Sequence, residues 1–289
     1  TRKLIAEQEV FMIFNNTGTA HTGAILPLLQ ESRTIAFGPV TGASSFRESV
    51  NPYLFHVRAG YANEARAIVG QLKRTGITKV AVFYQDDPLG KTLLAELKAA
   101  SQAEALPFSA EVKVDPKQPD FQAAAAAAVK AAPQAIIMGT AGTTFPLFVR
   151  AVHTAGAKPS FYGFSIASLD VINRELKDNA RGIVLAQIMP SLRNSSVPVV
   201  AEYLKLLKER APEAPPSASQ FEGFVHARLL VEGLRRAGKN LSTDSFIKAM
   251  ESAGEISFGK FVAKYSPQTH NGSSYVELAI IDNAGNLRY

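Results

Sequence analysis

Short apolar runs alternate with longer stretches of helical period along this chain. The runs at 10–14, 34–37, 79–84, 134–138, 160–164 and 182–185 are built largely from Val, Ile, Phe and Ala, as in Lys79-Val-Ala-Val-Phe-Tyr84. A strand buried on both faces of a parallel sheet reads this way, because neither face meets water. The segments at 20–31, 62–74, 88–103, 121–131, 143–154 and 169–177 have helical spacing and are long enough to cross between parallel strands. The pattern predicts an α/β fold of repeated strand–helix units.

Turn chemistry agrees with that phase. Asp86-Asp87-Pro88 offers a carboxylate cap ahead of a first-turn proline, where the missing N–H is harmless. Gly76 and Gly156 follow helices where a left-handed terminator is wanted. The alanine run 123–128 lies between Pro119 and Pro133, and its high propensity and small side chains predict a helix lying close on a sheet. After residue 185, Pro190, Pro198, Pro212, Pro215 and Pro216 punctuate helical stretches at 199–210, 220–236 and 244–252. Strands at 260–265 and 275–281 follow, with a turn at 283–286. A loose duplication, with strand–helix units before about residue 60 and again over 61–188, suggests two similar lobes. The opening Thr1-Arg-Lys-Leu-Ile-Ala-Glu7 reads as a helix running straight into the first apolar run, as expected of a start inside a domain.

Composition narrows the function classes. With 289 residues, 46% of them hydrophobic and 19% charged, the chain has material for two domains or one large α/β body, and disorder is excluded. Lys+Arg exceed Asp+Glu by 31 to 25, a net +6, yet the basic residues are scattered and no aromatics interleave with them, so no nucleic-acid partner is predicted. The absence of cysteine rules out disulfides, thiolate metal sites and a Cys nucleophile. No apolar stretch reaches the roughly 18 residues of a membrane span, and the N-terminus lacks the order of a signal peptide. His21, His56, His153, His226 and His270 have no ligand spacing, so no metal is predicted. Gly90-Lys91-Thr92 resembles the tail of a phosphate loop, but Gln85 stands where its first glycine is required, and Gly139-Thr-Ala-Gly142 lacks the dinucleotide spacing. No cofactor is implied.

The loops that follow the strands share a composition. They contain Asn15-Asn16-Thr17-Gly18-Thr19, Thr41-Gly42-Ala43-Ser44-Ser45, Gln85-Asp86-Asp87, Thr140-Ala141-Gly142-Thr143-Thr144 and Ser165-Ile-Ala-Ser168. In open parallel sheets ligands bind beyond the carboxyl ends of the strands, where free amides, hydroxyls and helix dipoles favour a small anion such as a carboxylate. The same residues also cap helices and form turns, which is the competing reading for any single loop. Gly163-Phe-Ser165-Ile-Ala167 approaches the nucleophile elbow of hydrolases, but Ala167 replaces its last glycine, and the downstream His226 and His270 show no acid partner in the sequence. Ser219-Gln-Phe-Glu222 matches a capping box, as does Ser45-Phe-Arg-Glu48, and the cap is favoured over Glu222 as a pocket charge. Tyr61 and Tyr84 are candidates to stack on a ligand, against half-buried positions at element ends.

Four stretches carry a resemblance: residues 4–14, Gly38-Pro-Val-Thr-Gly-Ala43, Lys79-Val-Ala-Val-Phe-Tyr-Gln-Asp-Asp-Pro-Leu-Gly90 and Phe221-Glu-Gly-Phe-Val-His-Ala227. Together they resemble the type I periplasmic solute-binding proteins of ABC transporters, more narrowly the Leu/Ile/Val-binding branch. The resemblance spans essentially the whole chain. It implies two Rossmann-like lobes, each a parallel sheet flanked by helices, joined by a three-segment hinge near 58–61, 187–191 and 260–265, with the ligand trapped between them. That assigns 1–60 and 189–259 to lobe I and 61–188 and 260–289 to lobe II. Lobe I is then incomplete, since the first strand–helix unit of relatives, with its P-x-S-G-type loop, has no counterpart before Thr1.

Carried over residue by residue, the resemblance puts the carboxylate-binding loop on Thr17, Gly18 and Thr19, and a second hydroxyl loop on Thr41, Gly42 and Ala43. Tyr84, Thr140 and Ser165 meet the ligand from the other lobe, with Tyr61 and Glu222 as further candidates. The acid that reads an α-ammonium group in leucine-binding members falls near Ser165, and an aromatic falls near Ala141; neither is retained. The implied ligand is therefore a small carboxylate-bearing solute, either an amino acid or an aromatic or aliphatic acid. The implied role is non-enzymatic: extracytoplasmic capture and delivery to a membrane permease, in the periplasm. A sensing domain of the same fold, or a Ser165-dependent hydrolase, are the alternatives.

Overall fold

The computed structural model describes all 289 residues, and the apolar runs become strands wherever they can be covered on both faces. In chain order the first part comprises α1 (Arg2–Ala6), β1 (Met12–Phe14), α2 (Thr19–Ser32), β2 (Ile35–Phe37) and β3 (Leu54–Phe55). Then come α3 (Tyr61–Arg74), β4 (Val80–Gln85), α4 (Pro88–Ala103), β5 (Phe108–Val114), α5 (Phe121–Lys130), β6 (Ala135–Gly139), α6 (Thr144–Thr154), β7 (Ser160–Gly163), α7 (Leu169–Leu176) and β8 (Val184–Gln187). The remainder is α8 (Pro198–Arg210), α9 (Ala218–Ala237), α10 (Thr243–Glu251), β9 (Gly254–Phe258), β10 (Phe261–Ser266), β11 (Thr269–Gly272), β12 (Glu277–Ile281) and β13 (Leu287–Arg288).

The chain divides into two units. Unit 1 is Thr1–Gly60 with Ile188–Tyr275, and unit 2 is Tyr61–Gln187 with Val276–Tyr289. The last division corrects the expected crossing at 260–265. That segment is β10, the middle strand of an antiparallel sheet ordered β11-β10-β9 inside unit 1, so its strand character was legible and its membership was not.

Unit 1 carries a three-stranded parallel sheet, β1-β2-β3, in the register Ile13↔Ala36 and Ala36↔Leu54. Its core is aromatic: Phe246 of α10 presents its edge to Phe37 and Phe55 at centroid distances of 5.9 and 6.0 Å. Such edge-to-face contacts satisfy the ring quadrupoles as well as burying area.

Unit 2 is a seven-stranded sheet ordered β13-β12-β8-β7-β6-β4-β5. The five strands from β8 to β5 are parallel, and β12 and β13 run antiparallel at one side. Strand alternation sends Ala81, Phe83, Ile136 and Met138 into one core and Val80, Val82, Ala135 and Ile137 into the other. The first core takes Ala124, Ala125 and Ala128 of the alanine run, whose small side chains let α5 lie close on the sheet, and Phe83 stacks on Phe148 of α6. The second takes Ile68 and Leu72 of α3 with Leu93 and Leu97 of α4. Both cores hold the same strand ends in place, and the loops beyond those ends carry the candidate chemistry.

Candidate functional site

In unit 1 the loops after β1 and β2 continue the parallel ladder. Thr17 bridges Val40, the Gly18 N–H donates to the Val40 carbonyl (3.2 Å), and the Val40 N–H donates to the Asn16 carbonyl (2.8 Å). This pairing sets Thr19, the first residue of α2, beside Thr41. Their hydroxyl oxygens stand 2.9 Å apart, both residues are buried, and Thr41 Oγ1 also accepts the Ala43 N–H at 3.3 Å. Two hydroxyls carry two protons, and the bond between them uses one. Whichever donates, one O–H of the pair is left over, as an acceptor-only ligand group requires.

Arg47 holds this arrangement from behind. Its guanidinium donates to the carbonyls of Thr41 (3.3 Å), Arg58 (3.0 Å) and Asn271 (3.1 Å), tying the second loop to the exit of β3 and to β11 itself. Of the residues predicted here, Thr19, Thr41, Gly42 and Ala43 converge. Thr17 is exposed and spends its hydroxyl on the Asn15 carbonyl at 3.4 Å, and Gly18 serves the ladder.

Glu222 stands apart from that group, and the expected capping box is corrected. The cap of α9 is Ser217, whose side chain accepts the Gln220 N–H, so the cap lies two residues before Ser219 and the helix begins at Ala218. Glu222 instead faces Arg58 Nη1 at 3.4 Å and His226 Nε2 at 3.6 Å. The second expected box, 45–48, is likewise corrected: the segment is a single 3-10 turn over Ser44–Phe46 that follows Ala43 and has no side-chain cap. Burial, with the Arg58 cation as a lesser cause, pulls the His226 pKa down to about 3, so the ring is neutral. His270 also has an acid neighbour, Glu251 at 3.1 Å. Both contacts correct the expectation that neither histidine has an acid partner: Glu251 meets His270 only through the fold, whereas Glu222 lies one helical turn from His226, a spacing that the predicted helix over 220–236 already contained.

In unit 2, Tyr84, Thr140 and Ser165 lie at the carboxyl ends of three neighbouring strands, β4, β6 and β7. Tyr84 is half-buried opposite Gly139. The Thr140 hydroxyl is buried and has no hydrogen-bond partner, an arrangement that costs stability unless a ligand or water meets it. Gln85 Oε1 accepts the Ala141 N–H at 2.8 Å and fixes the start of that loop. Ser165 is committed differently: its N–H and hydroxyl both donate to the Glu64 carboxylate, at 2.7 and 3.0 Å. A serine whose one proton goes to a buried carboxylate is an anchor for its loop, which removes the geometric case for a nucleophile elbow. Tyr61 is corrected too. It is 1% exposed, edge-on to Phe164 at 5.9 Å, and belongs to the core.

Asn15, Arg47, Arg58, Glu64, Gln85 and His226 organise these loops, and sequence reasoning missed their roles. The signal that was available was position: Asn15 and Gln85 sit at strand ends. No group of three His, Asp or Glu side chains lies together in a way that could hold a metal ion. No helix is long and apolar enough to cross a membrane.

With the geometry in place, comparison with known proteins gives a consistent picture. A possible leucine/isoleucine/valine-binding protein from Rhodopirellula baltica superposes with a TM-score of 0.91 at 27% identity, over 100% of this chain and 80% of that one. A substrate-binding periplasmic protein from Ralstonia solanacearum gives 0.89 at 27%, over 99% and 82%. An extracellular ligand-binding receptor from Verminephrobacter eiseniae gives 0.88 at 27%, over 98% and 81%. A leucine-binding protein from Thermotoga maritima, at 16% identity and a TM-score of 0.86, shares the fold. A search of curated proteins returned no match. The sequence model of the family described as periplasmic binding protein matches residues 1–286. The chain therefore belongs to the periplasmic binding proteins, an extracytoplasmic family of solute binders with the type I two-lobed fold, and not to a family of enzymes.

Proposed function

We propose that this protein is the substrate-binding component of an ABC importer, taking a small carboxylate-bearing solute outside the cytoplasm and presenting it to a membrane permease. The observation that carries the reading is the Thr19–Thr41 hydroxyl pair, with its one remaining proton, at the ends of two parallel strands. A carboxylate offers only acceptors, so it complements an O–H donor and the positive end of α2. Thr41, Gly42 and Ala43 with Thr19 hold the anionic end. Within unit 2, Tyr84 and the unpartnered Thr140 hydroxyl are polar groups presented at its own strand ends. The resemblance to the Rhodopirellula protein, a possible leucine/isoleucine/valine-binding protein, supports an amino acid within this class.

The test is calorimetry on the whole chain with a panel of branched-chain amino acids, aliphatic and aromatic free acids, and the primary amides of each. Free acids bind and their amides do not. If amides bind as tightly as acids, the carboxylate reading is wrong.

A further inference from the structure

The three parallel strands of unit 1 leave the sheet at residues far apart in sequence, yet one turn of α9 reaches all three exits. His226 is fully buried and places Nδ1 2.6 Å from Asn15 Oδ1, at the exit of β1. The same ring presses on Gly38, at the exit of β2: a Cβ there would stand 2.7 Å from Nδ1 and 2.8 Å from Asn15 Oδ1. Gly38 also has φ 67°, so both conformation and close approach require glycine. One turn earlier on the same helix face, Glu222 meets Arg58 beyond β3 at 3.4 Å.

Asn15 is where this contact bears on the candidate site. Its φ of 53° is left-handed, a conformation that costs most side chains energy and that asparagine tolerates better. From it the chain turns into the loop that delivers Gly18 and Thr19. A hydrogen bond from a buried, immobile ring fixes the carboxamide and, through it, the direction of that turn. Burial also keeps the ring neutral, so the contact is a constant hydrogen bond.

We propose that the Glu222–His226 turn of α9 is the positioning element of the candidate anion site, setting through Asn15 and Gly38 the separation of the loops that bring Thr19 and Thr41 together. Neither side chain has to touch the solute. Sites are held to productive geometry by such supporting contacts, and small displacements of a first-contact group cost affinity. The identity of the solute rests on the carboxylate reading above; the control of the loops does not.

Three variants of the whole chain test this. His226→Phe keeps a ring and removes both nitrogens, His226→Asn keeps a polar group near the Nδ1 position, and Asn15→Gly keeps the left-handed turn and removes the carboxamide. In amide NMR spectra of the ligand-free protein, the Gly18, Thr19 and Gly42 signals move in His226→Phe and in Asn15→Gly. They return toward their native positions in His226→Asn, and the double variant His226→Phe/Asn15→Gly moves them no further than either single change. Affinity for the free acid that binds best in the calorimetric panel falls about tenfold in His226→Phe and recovers in His226→Asn. If the loop signals of His226→Phe coincide with native ones, or His226→Asn behaves like His226→Phe, the positioning role is overturned. Should His226→Phe fail to fold, Asn15→Gly decides by the same signals. Should no acid bind the native protein, the carboxylate reading fails alone and the ligand-free spectra still decide this inference.

Discussion

Thr19 and Thr41 are 22 residues apart in the chain and 2.9 Å apart at their hydroxyl oxygens. The contact exists because the loops after β1 and β2 keep their ladder going for one more bridge, Thr17 to Val40. One substitution isolates its role. Thr41→Val keeps the side-chain shape and removes the hydroxyl, so affinity for the bound acid falls by roughly 10- to 100-fold, the worth of a hydrogen bond to a charged group. Thr41→Ser restores most of it. Calorimetry on both variants checks this, and an unchanged Kd for Thr41→Val would remove the pair from the site.

Glu222 supports Arg58 from inside unit 1, where Arg58 is 1% exposed. Replacing Glu222 by Leu takes a carboxylate away from a buried cation. The expected loss is about 3 kcal/mol of folding stability, at the low end for breaking a buried pair because Glu222 retains some exposure. Urea unfolding at neutral pH measures it. A loss below about 0.5 kcal/mol, typical of a surface substitution, would mean that the pair contributes nothing.

Gly90 has no special backbone angle, yet it admits no side chain. A Cβ there would lie 2.0 Å from the Gln85 carbonyl oxygen, backbone against backbone, where α4 leaves the end of β4. Gly90→Ala therefore gains helix propensity but forces the helix off the strand, for a net loss of about 1–3 kcal/mol. A thermal melt showing no loss would contradict the packing described.

Much of the fold was legible because buried parallel strands are written as continuous apolar runs: β4 and β6 could hardly be read otherwise. The strands that escaped are short, edge or polar ones. β3 has two residues, β5 alternates exposed and buried positions at the sheet edge, and β11 reads Thr-His-Asn-Gly. The loops were legible as a set through their Gly, Thr and Ser content, which marks strand exits in any fold of this class. Their supports were not. Arg58 and Glu222 are brought together from distant segments, and nothing local in a sequence distinguishes a glutamate that caps a helix from one that holds a buried arginine. The same limit explains Ser165, a loop residue whose partner Glu64 lies 101 residues earlier on α3.

Acid weakens this protein through its buried histidines. Burial lowers the pKa of His56 and His270, and that of His226 to about 3, while all three approach 6.5 in the unfolded chain. Below pH 6.5 the unfolded state takes up protons that the folded state refuses, so stability falls as pH falls, and for His226 it continues to fall toward about pH 3. Urea midpoints at pH 7.5, 6.0 and 5.0 should decrease in that order, and less steeply in His226→Asn. A flat profile would show that these rings are protonated in the folded state.

Under the proposed function, unit 1 holds the solute by a carboxylate at the ends of β1 and β2. Amide NMR with isotope-labelled protein tests it directly, titrating the best-binding free acid and, separately, its primary amide. The Thr19, Gly42 and Ala43 signals shift saturably with the acid and stay in place with the amide. If the acid binds while those three signals remain where they were, the anion is held elsewhere and the claim is wrong.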